Sequence, residues 1–135
     1  MAIALDEGLI VPAIQKCQNL SLVDISKASK DLGLRARGEG GSLSQDELTN
    51  GTFGTSNLGM FGTNVFAAII VPPQSGILAV GAVIQKPVVK DGKIVVRSIM
   101  NATVSADHRV GDGAEAALLM KEIQNNLENP MNLLV

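Results

Sequence analysis

An Asp-Gly pair between two runs of β-branched residues is the feature that most restricts what this chain can fold into. Asp91 and Gly92 separate the runs 88–90 and 93–96. A tight two-residue hairpin turn requires positive φ at both central positions, which Asp and Gly adopt more readily than most residues. The second run is expected to continue toward Ala106, so the sequence predicts a long antiparallel strand pair.

Helical periodicity marks one long segment on each side of this strand pair. Ser21 is expected to cap a helix over about 22–37, and Gly38 can terminate it. A second helix is expected over about 114–128, where apolar residues recur along one stripe until Pro130 stops the pattern. The sequence therefore predicts two long helices in addition to the hairpin.

Shorter elements are expected in the intervening chain. The apolar runs 2–5 and 9–11 predict two strand segments around a turn, and the segment 44–48 predicts a short helix capped at its first residue. The runs 65–71 and 77–84 are apolar throughout and are expected to be buried strands. Together these elements predict an α/β or α+β sandwich, with helices on one face of a mixed sheet.

Composition indicates a single globular domain and argues against two classes of partner. Of the 135 residues, 46% are hydrophobic and 18% are charged, and the net charge is -2, which is typical of a folded chain. The basic residues are scattered and no aromatic residues lie between them, so nucleic acid is not expected as a partner. The apolar runs are far shorter than the roughly 20 residues of a membrane-spanning helix, so membrane insertion is not expected either.

Cysteine and aromatic content bear on the compartment and on assembly. Cys17 is the only cysteine, and no secretory leader opens the chain, so a reducing compartment is expected. Cys17 is expected to be an ordinary semi-buried thiol rather than a nucleophile. With three Phe and neither Trp nor Tyr, some of the apolar surface is expected to face a partner subunit.

The glycine-rich run 38–42 follows two arginines and could suggest a phosphate site. Glu39 lies among its glycines, and no Lys follows before Lys86, whereas a phosphate-binding loop needs a preceding strand, a following helix and usually a Lys. Arg35 and Arg37 suit the negative end of the preceding helix dipole. A structural role is therefore predicted for both arginines.

The one histidine of the chain is its leading candidate for chemistry. His108 lies in the run 107–113, between a β-branched stretch and the second predicted helix, with carboxylates at Asp107 and Asp112. An imidazole with an ordinary pKa of ~6.5 can take and return a proton near neutral pH. On the residues alone, a catalytic role stands beside the commoner alternative of a surface or packed histidine.

Two motifs carry a resemblance to a known family. The run 107–113 fits the pattern DHRxxDG, and the run 51–62 resembles GTFTISNLGMFG. Both patterns belong to the catalytic domain of dihydrolipoamide acyltransferases, the E2 components of 2-oxo acid dehydrogenase complexes. Further segments similar to the family follow in the family's order, at 5–12, 69–74, 77–81 and 128–130. Residues 1–135 are therefore expected to form a partial acyltransferase catalytic domain, its C-terminal portion only.

The resemblance implies a fold and an activity. The fold would be the two-layer sandwich of chloramphenicol acetyltransferase, with the N-terminal part preceding Met1 missing. The activity would be transfer of an acyl group between the thiols of dihydrolipoamide and coenzyme A. Coenzyme A would be a substrate, the lipoyl group would sit on a separate domain, and no metal would be involved. The segment 58–60 favours the acetyl or branched-chain type over the succinyl type.

The resemblance also implies the site residues. His108 would be the general base, and the hydroxyl of Ser56 would stabilise the oxyanion, with Thr55 and Asn57 as near alternatives. Asp112 lies at the start of the second predicted helix, where a carboxylate can cap backbone amide groups. It would support the site, holding loop geometry through a cationic partner. The chain departs from the family pattern just before Ser56, where Gly54-Thr55 replaces Thr-Ile, so the aim of the hydroxyl is less restricted. Residues that bind coenzyme A are not identified.

Assembly is part of what the resemblance implies. The site would lie between subunits of a homotrimer, and trimers would build a larger core through apolar contacts of Leu133, Leu134 and Val135. Partners would include the lipoyl-bearing domain and, through missing domains, the E1 and E3 components of the complex. The compartment would be the cytoplasm of a bacterium or archaeon, or the mitochondrial matrix.

Two hypotheses from different classes remain at this point. The first is a catalytic acyltransferase, for which His108 is the main support. The second is a truncated, non-catalytic assembly or scaffold fragment of such a core, which the length of the chain favours for the isolated chain. A chloramphenicol acetyltransferase-like or condensation-domain enzyme is a weaker third hypothesis, because the runs 56–62 and 69–74 point to the E2 branch.

Overall fold

The architecture is a three-stranded mixed sheet accompanied by a separate two-stranded hairpin. It is seen in a computed structural model that describes residues 1–134. The elements within this range follow in chain order: strands Ile3–Leu5 (β1) and Gly8–Ile10 (β2), helices Leu22–Ala36 (α1) and Gln45–Thr49 (α2), strands Gly54–Asn57 (β3), Gly76–Lys90 (β4) and Lys93–Ala106 (β5), and helix Gly113–Glu128 (α3). Short 3-10 turns span Cys17–Asn19, Gly59–Phe61 and Pro130–Leu134.

The Asp-Gly hairpin forms as predicted and supplies the two longest strands. β4 and β5 pair antiparallel from Gly76↔Ala106 at one end to Lys90↔Lys93 at the other. Asp91 and Gly92 between them have φ of 51° and 72°, which matches the backbone of a type I′ turn. The strand pair is longer than predicted, because β4 already begins at Gly76.

The sheet is mixed, as predicted, because its third strand runs parallel to β4. β3 pairs with β4 in the register Gly54↔Ile77 to Asn57↔Val80, so the strand order is β3-β4-β5. A β-bulge interrupts the β4–β5 ladder between Val80 and Val83. Among the described residues, the hairpin beyond that bulge is therefore two-stranded.

The helices begin at the caps that the sequence predicts. The Ser21 hydroxyl accepts the backbone N–H of Asp24 at the start of α1. Ser44 and Glu47 form a reciprocal capping box at the start of α2, which satisfies two backbone N–H groups that a helix start leaves free. The bounds of α1 and α3 lie within one residue of the predicted bounds.

The predicted buried strand at 65–71 is wrong. This segment has no strand partner among the described residues, and Ile69 is 90% exposed. It crosses over the sheet instead: the C=O of Thr63 accepts the N–H of Ala82, and the C=O of Ala68 accepts the Ser105 hydroxyl, each at 2.8 Å. An extended crossing segment buries alternate apolar residues as a strand does. The apolar pattern alone therefore does not distinguish a strand within the sheet from a segment that crosses over it.

The core is small for a chain of this mass. Its buried hydrophobic residues are Ile3, Leu32, Ile77, Ala79 and Ala82. A monomeric protein of 14.1 kDa is expected to expose about 6,700 Å² of accessible surface, whereas this chain exposes 9548 Å². Much apolar surface thus lies open in a single copy. Leu133 and Leu134 are part of it, and Val135 lies outside the described residues.

Arg35 has the structural role predicted for it, although with partners that the sequence did not identify. Its guanidinium donates to both carboxylate oxygens of Glu47 at 2.6 and 2.9 Å and, through Nε, to Asp31 at 2.8 Å. The hydrogen bonds from Arg35, together with those from Ser44, lower the pKa of Glu47 to about 2. The bonds of Arg35 to Glu47 therefore hold α2 against α1.

Two further findings concern the surface of the molecule. Cys17 is exposed rather than semi-buried, because the 3-10 turn that carries it faces solvent along its whole length. Among the described residues, no helix is both long enough and apolar enough to cross a membrane.

Candidate active site

His108 lies on a short turn that joins β5 to α3, at the position the sequence predicts. The turn is closed by the C=O of Asp107, which accepts the N–H of Val110 at 2.8 Å and that of Gly111 at 3.2 Å. The His108 side chain is exposed. A rigid strand and a capped helix therefore hold both ends of a turn that presents the imidazole to solvent.

An ion pair within this turn fixes its geometry. The Arg109 guanidinium donates to the Asp107 carboxylate, with the shortest contact 2.6 Å, and the Arg109 backbone N–H donates to the same group at 3.0 Å. These bonds lower the pKa of Asp107 to about 2. Asp107 is thus an anion at neutral pH, and its bonds to Arg109 shape the turn.

Asp112 is the N-cap of α3. Its carboxylate accepts the backbone N–H groups of Ala114 and Glu115 at 2.8 and 2.9 Å, and Glu115 accepts the N–H of Asp112 at 2.9 Å. The expected capping is confirmed. The expected cationic partner is not found among residues 1–134, because the positive end of α3 already meets the negative charge.

Ser56 lies in the middle of β3 and is half-buried. Successive side chains of a strand point to opposite faces, so Ser56 shares a face with Gly54, while Thr55 and Asn57 point to the other. The side-chain oxygen of Asn57 accepts the N–H of Gly59 at 2.8 Å and so belongs to the following turn. Ser56 is therefore distinguished from its two alternatives by the face that it occupies.

A single chain does not bring Ser56 and His108 together. Ser56 on β3 pairs with Ala79 on β4, and Ala79 pairs with Thr103 on β5. Ser56 therefore lies two strands across the sheet from β5. It is level with Thr103, three residues before the end of that strand at Ala106. At ~3.3 Å per residue and ~4.8 Å per strand, Ser56 and Ala106 are roughly 14 Å apart between Cα atoms. His108 follows Ala106 by two residues. At such a separation, one copy alone is not expected to bring both groups to one substrate.

A cavity of about 840 Å³ lies elsewhere, between α3 and the middle of β5. Met100, Met120 and Leu127 contribute to its apolar lining, while neither His108 nor Ser56 does. Among the described residues, no group of three or more His, Cys, Asp or Glu side chains is arranged to hold a metal ion. The two residues that the resemblance assigns to the chemistry therefore lie outside this cavity.

Comparison with known proteins gives one family over the whole chain. The model of the 2-oxoacid dehydrogenases acyltransferase family (catalytic domain) matches residues 1–135. The chain is 44% identical over 135 residues to the dihydrolipoyllysine-residue succinyltransferase component of the 2-oxoglutarate dehydrogenase complex of Cupriavidus necator. It is also 44% identical over 138 residues to the mitochondrial acetyltransferase component of the pyruvate dehydrogenase complex of Schizosaccharomyces pombe. The chain is covered completely in both matches but spans only 32% and 28% of these relatives.

Solved structures match the fold closely. The dihydrolipoamide acetyltransferase of Azotobacter vinelandii superimposes with a TM-score of 0.87 at 32% identity, over 99% of this chain and 54% of that one. The cubic core of the pyruvate dehydrogenase multienzyme complex gives 0.87 at 31% identity, with the same coverage. These matches confirm the predicted fold class.

The Azotobacter vinelandii enzyme also offers a comparison of spacing. Crystallographic and enzymatic work on it concerns the role of a serine, a histidine and an asparagine in its catalytic mechanism, with the histidine 52 positions after the serine and the asparagine 4 positions after the histidine. In the present chain, Ser56 and His108 are separated by the same 52 positions, and Asp112 follows His108 by 4. The order and spacing are thus identical, and an aspartate stands where the other enzyme has an asparagine.

Proposed function

Because the chain belongs to the family of 2-oxoacid dehydrogenase acyltransferase catalytic domains, we propose that the protein transfers an acyl group between the thiol of dihydrolipoamide and the thiol of coenzyme A. The observation that carries the proposal is the shared order and spacing of Ser56, His108 and the residue at position 112. The exposed turn that holds His108 supports it, because a substrate thiol can reach an imidazole placed there.

His108 is the proposed general base and acid. A thiol with a pKa of ~8.5 is mostly protonated at neutral pH, whereas a base of pKa ~6.5 can accept its proton as the sulfur attacks. A new carbon–sulfur bond forms at the thioester carbonyl carbon, and the old one then breaks. The imidazolium gives its proton to the departing sulfur. One thioester replaces another, and the proton passes from one thiol to the other.

Ser56 is the proposed oxyanion donor. Attack on the thioester carbonyl places negative charge on its oxygen, and a hydroxyl already aimed at that oxygen stabilises the transition state. β3 holds Ser56 rigidly because it pairs in parallel with β4 along its whole length. The half-buried position of Ser56 favours this role, since a donor is stronger where water is partly excluded.

Asp112 and Arg109 are proposed to support the site rather than to carry protons. The Asp112 carboxylate is bonded to two amides of α3, and Arg109 is bonded to Asp107. Both interactions fix backbone on either side of His108. Asparagine can also cap a helix, which is consistent with its presence at the equivalent spacing in the Azotobacter vinelandii enzyme.

A complete site is proposed to need more than one copy. Because Ser56 and His108 are far apart in one chain, each copy would contribute its His108 to one site and its Ser56 to a neighbouring site. A homotrimer that builds a larger core is the proposed assembly, and the likeness to a cubic core supports it. The exposed Leu133 and Leu134 are available for contacts between trimers.

Substrate type, partners and compartment belong to the same proposal. The segment 58–60 favours the acetyl or branched-chain type, whereas the relatives named above are a succinyltransferase and an acetyltransferase. A lipoyl-bearing domain and the E1 and E3 components would be the partners. The compartment would be the bacterial or archaeal cytoplasm or the mitochondrial matrix, since the relatives come from a bacterium and from mitochondria.

A non-catalytic assembly fragment is the second candidate function. The chain covers 54% of the solved chains that it matches, and it exposes far more surface than a self-sufficient monomer of its mass. Both observations favour a chain that folds and associates without a complete coenzyme A site.

One experiment separates the two candidates. Molar mass and acyl transfer are measured on the same preparation, with dihydrolipoamide and acetyl-, succinyl- or isobutyryl-coenzyme A. We expect His108→Ala to lower turnover by roughly a thousandfold and Ser56→Ala by about a hundredfold, at unchanged mass. Full turnover by His108→Ala would contradict the proposed chemistry. A wild-type chain that associates into oligomers but is inactive would favour the assembly fragment.

A further inference from the structure

Ser75 lies between the two segments that carry the proposed catalytic residues. Its backbone N–H and its hydroxyl both donate to the C=O of Thr52, each at 2.9 Å. Its own C=O accepts the N–H of Asp107 at 2.8 Å. Thr52 lies two residues before β3, and Asp107 is the neighbour of His108. One residue therefore bonds the start of the Ser56 strand to the start of the His108 turn.

The corner that contains Ser75 is held firmly by its other neighbour. Gln74 is only 8% exposed, and its amide lies against the backbone of Gly51 and Gly54. A Cβ on Gly51 would lie 3.0 Å from the amide nitrogen, and one on Gly54 would lie 2.8 Å from the amide oxygen. Gly54 is also where the chain departs from the family pattern. The departure thus gives the Gln74 amide room to pack against β3.

The amide oxygen of Gln74 is unusual among the polar atoms of the molecule. It is buried and has no hydrogen-bond partner within residues 1–134. A buried acceptor without a partner is destabilising, so a polar residue at this corner is not explained by the stability of a single copy. Packing against Gly51 and Gly54 holds the Gln74 side chain in place.

We propose that Ser75 is a positioning residue, which fixes the placement of Ser56 relative to His108 by bonding Thr52 and Asp107 at once. The inference rests on the proposed function. If each copy contributes its His108 to one active site and its Ser56 to a neighbouring active site, the distance between these two residues within a copy affects both sites. A rigid link through Ser75 then keeps the placement of Ser56 relative to His108 the same at every active site of the assembly.

The expected size of the effect follows from what the substitution removes. Ser75→Ala deletes the hydroxyl bond to Thr52 but leaves the two backbone bonds. Displacement of a reacting group by about 1 Å can cost on the order of a hundredfold in rate. A partial loosening is expected to lower kcat by roughly tenfold with KM nearly unchanged, because substrate binding does not depend on the link.

The test compares Ser75→Ala with Ser105→Ala, which removes an equivalent bond. The Ser105 hydroxyl also donates to a backbone carbonyl, that of Ala68, at 2.8 Å. Because His108 is the only histidine, its imidazole gives a single histidine signal in an NMR spectrum. We expect Ser75→Ala to shift that signal and to speed hydrogen exchange of the Asp107 amide at least tenfold relative to Ser105→Ala. Ser75→Thr, which keeps a hydroxyl, is expected to restore both.

Two results would overturn the inference. The first is an Asp107 amide and a His108 signal that respond equally to the two alanine variants. The second is a Ser75→Ala protein with the kcat of the wild type, in a preparation where His108→Ala is inactive. A preparation in which His108→Ala keeps full turnover would instead refute the proposed function, and the NMR comparison would still report on the link.

Discussion

The inner and outer halves of the β4–β5 hairpin belong to one antiparallel ladder but have very different surroundings. The inner half comprises residues 76–80 and 102–106, and the outer half comprises residues 83–90 and 93–100. Ile77 in the inner half is 5% exposed, whereas Ile94 in the outer half is 79% exposed. Both residues are isoleucines in the same antiparallel ladder. Their difference therefore arises from what covers each half, not from strand propensity.

The inner half is covered on one edge and across one face. β3 pairs with it from Ile77 to Val80, and the segment 63–70 crosses above it, where Asn64 approaches the backbone of Gly81 too closely for any Cβ. Neither element extends past the bulge between Val80 and Val83. The inner half, which leads into the His108 turn, is therefore covered by other segments of the same copy.

The outer half is the part of the molecule that a single copy leaves open. A two-stranded hairpin is marginally stable in water without a packed face, and Val89 and Ile94 form an exposed apolar pair across it. One copy thus stabilises the end of the hairpin that leads into the His108 turn, but leaves the far end of the same strands exposed.

Substitution of the two isoleucines is expected to give the largest contrast. Ile77→Ala removes buried methyl and methylene groups and is expected to lower the free energy of unfolding by about 2–5 kcal/mol. Ile94→Ala in the outer half is expected to change it by less than about 0.5 kcal/mol. Urea unfolding followed by far-ultraviolet circular dichroism, on dilute protein of verified mass, measures both. Equal losses would show that the outer half is packed in solution and would remove the contrast.

The cap at the start of α3 is expected to matter less. Asp112→Ala removes the acceptor for two backbone N–H groups and is expected to cost about 1 kcal/mol of stability. Asp112→Asn serves as the matched control, because asparagine caps helices about as well as aspartate. Hydrogen exchange of the Ala114 and Glu115 amides should rise in the alanine variant only. Protection of these amides in Asp112→Ala would mean that the cap does not hold the inner end of the hairpin to α3.

A pH effect at the turn is expected to be the smallest. The bonds from Arg109 lower the pKa of Asp107 to about 2 from an ordinary value of 3.8. A lowered folded pKa adds stability that is complete above the unfolded value and is lost as the pH falls through the folded value. The contribution of Asp107 should therefore be present above pH 3.8 and disappear toward pH 2. The Arg109 side chain is 88% exposed, so salt should weaken the effect.

Unfolding of wild type and Asp107→Asn at pH 5 and pH 3, each in low and high salt, measures this contribution. The wild type is expected to lose part of its advantage over the variant at the lower pH, and a further part in high salt. An advantage that grew as the pH fell would have the wrong sign for a carboxylate with a lowered pKa and would rule out the Asp107–Arg109 pair as its source.

Much of the local structure was predictable because it depends on neighbours in the chain. Asp91 and Gly92 set their turn through their own backbone preferences. Ser21 and Asp112 cap helices through bonds to residues two or three positions away. The placement of His108 between a strand and a helix follows from the same short-range patterns. Family motifs added Ser56, whose role no local pattern indicates.

Other features were not predictable because their partners are distant in the sequence. The apolar run 65–71 crosses the sheet instead of joining it, as the bond from Ser105 to Ala68 shows. Arg35 meets Glu47 across a loop of glycines. Ser75 contacts Thr52 and Asp107, 23 and 32 residues away, through its backbone groups and its hydroxyl. No pattern within a short window reports any of these contacts.

The order of the residues was enough to predict the hairpin, the helix caps, the turn that carries His108 and the family. Local hydrogen bonds and backbone preferences act between adjacent residues, so they can be read from the order of the residues. Three features became visible only in three dimensions: Ser56 and His108 lie apart in one copy, Ser75 links their segments, and half of the hairpin stays uncovered. These outcomes depend on which distant segments pack together and in which register, and packing depends on the shape of the whole chain.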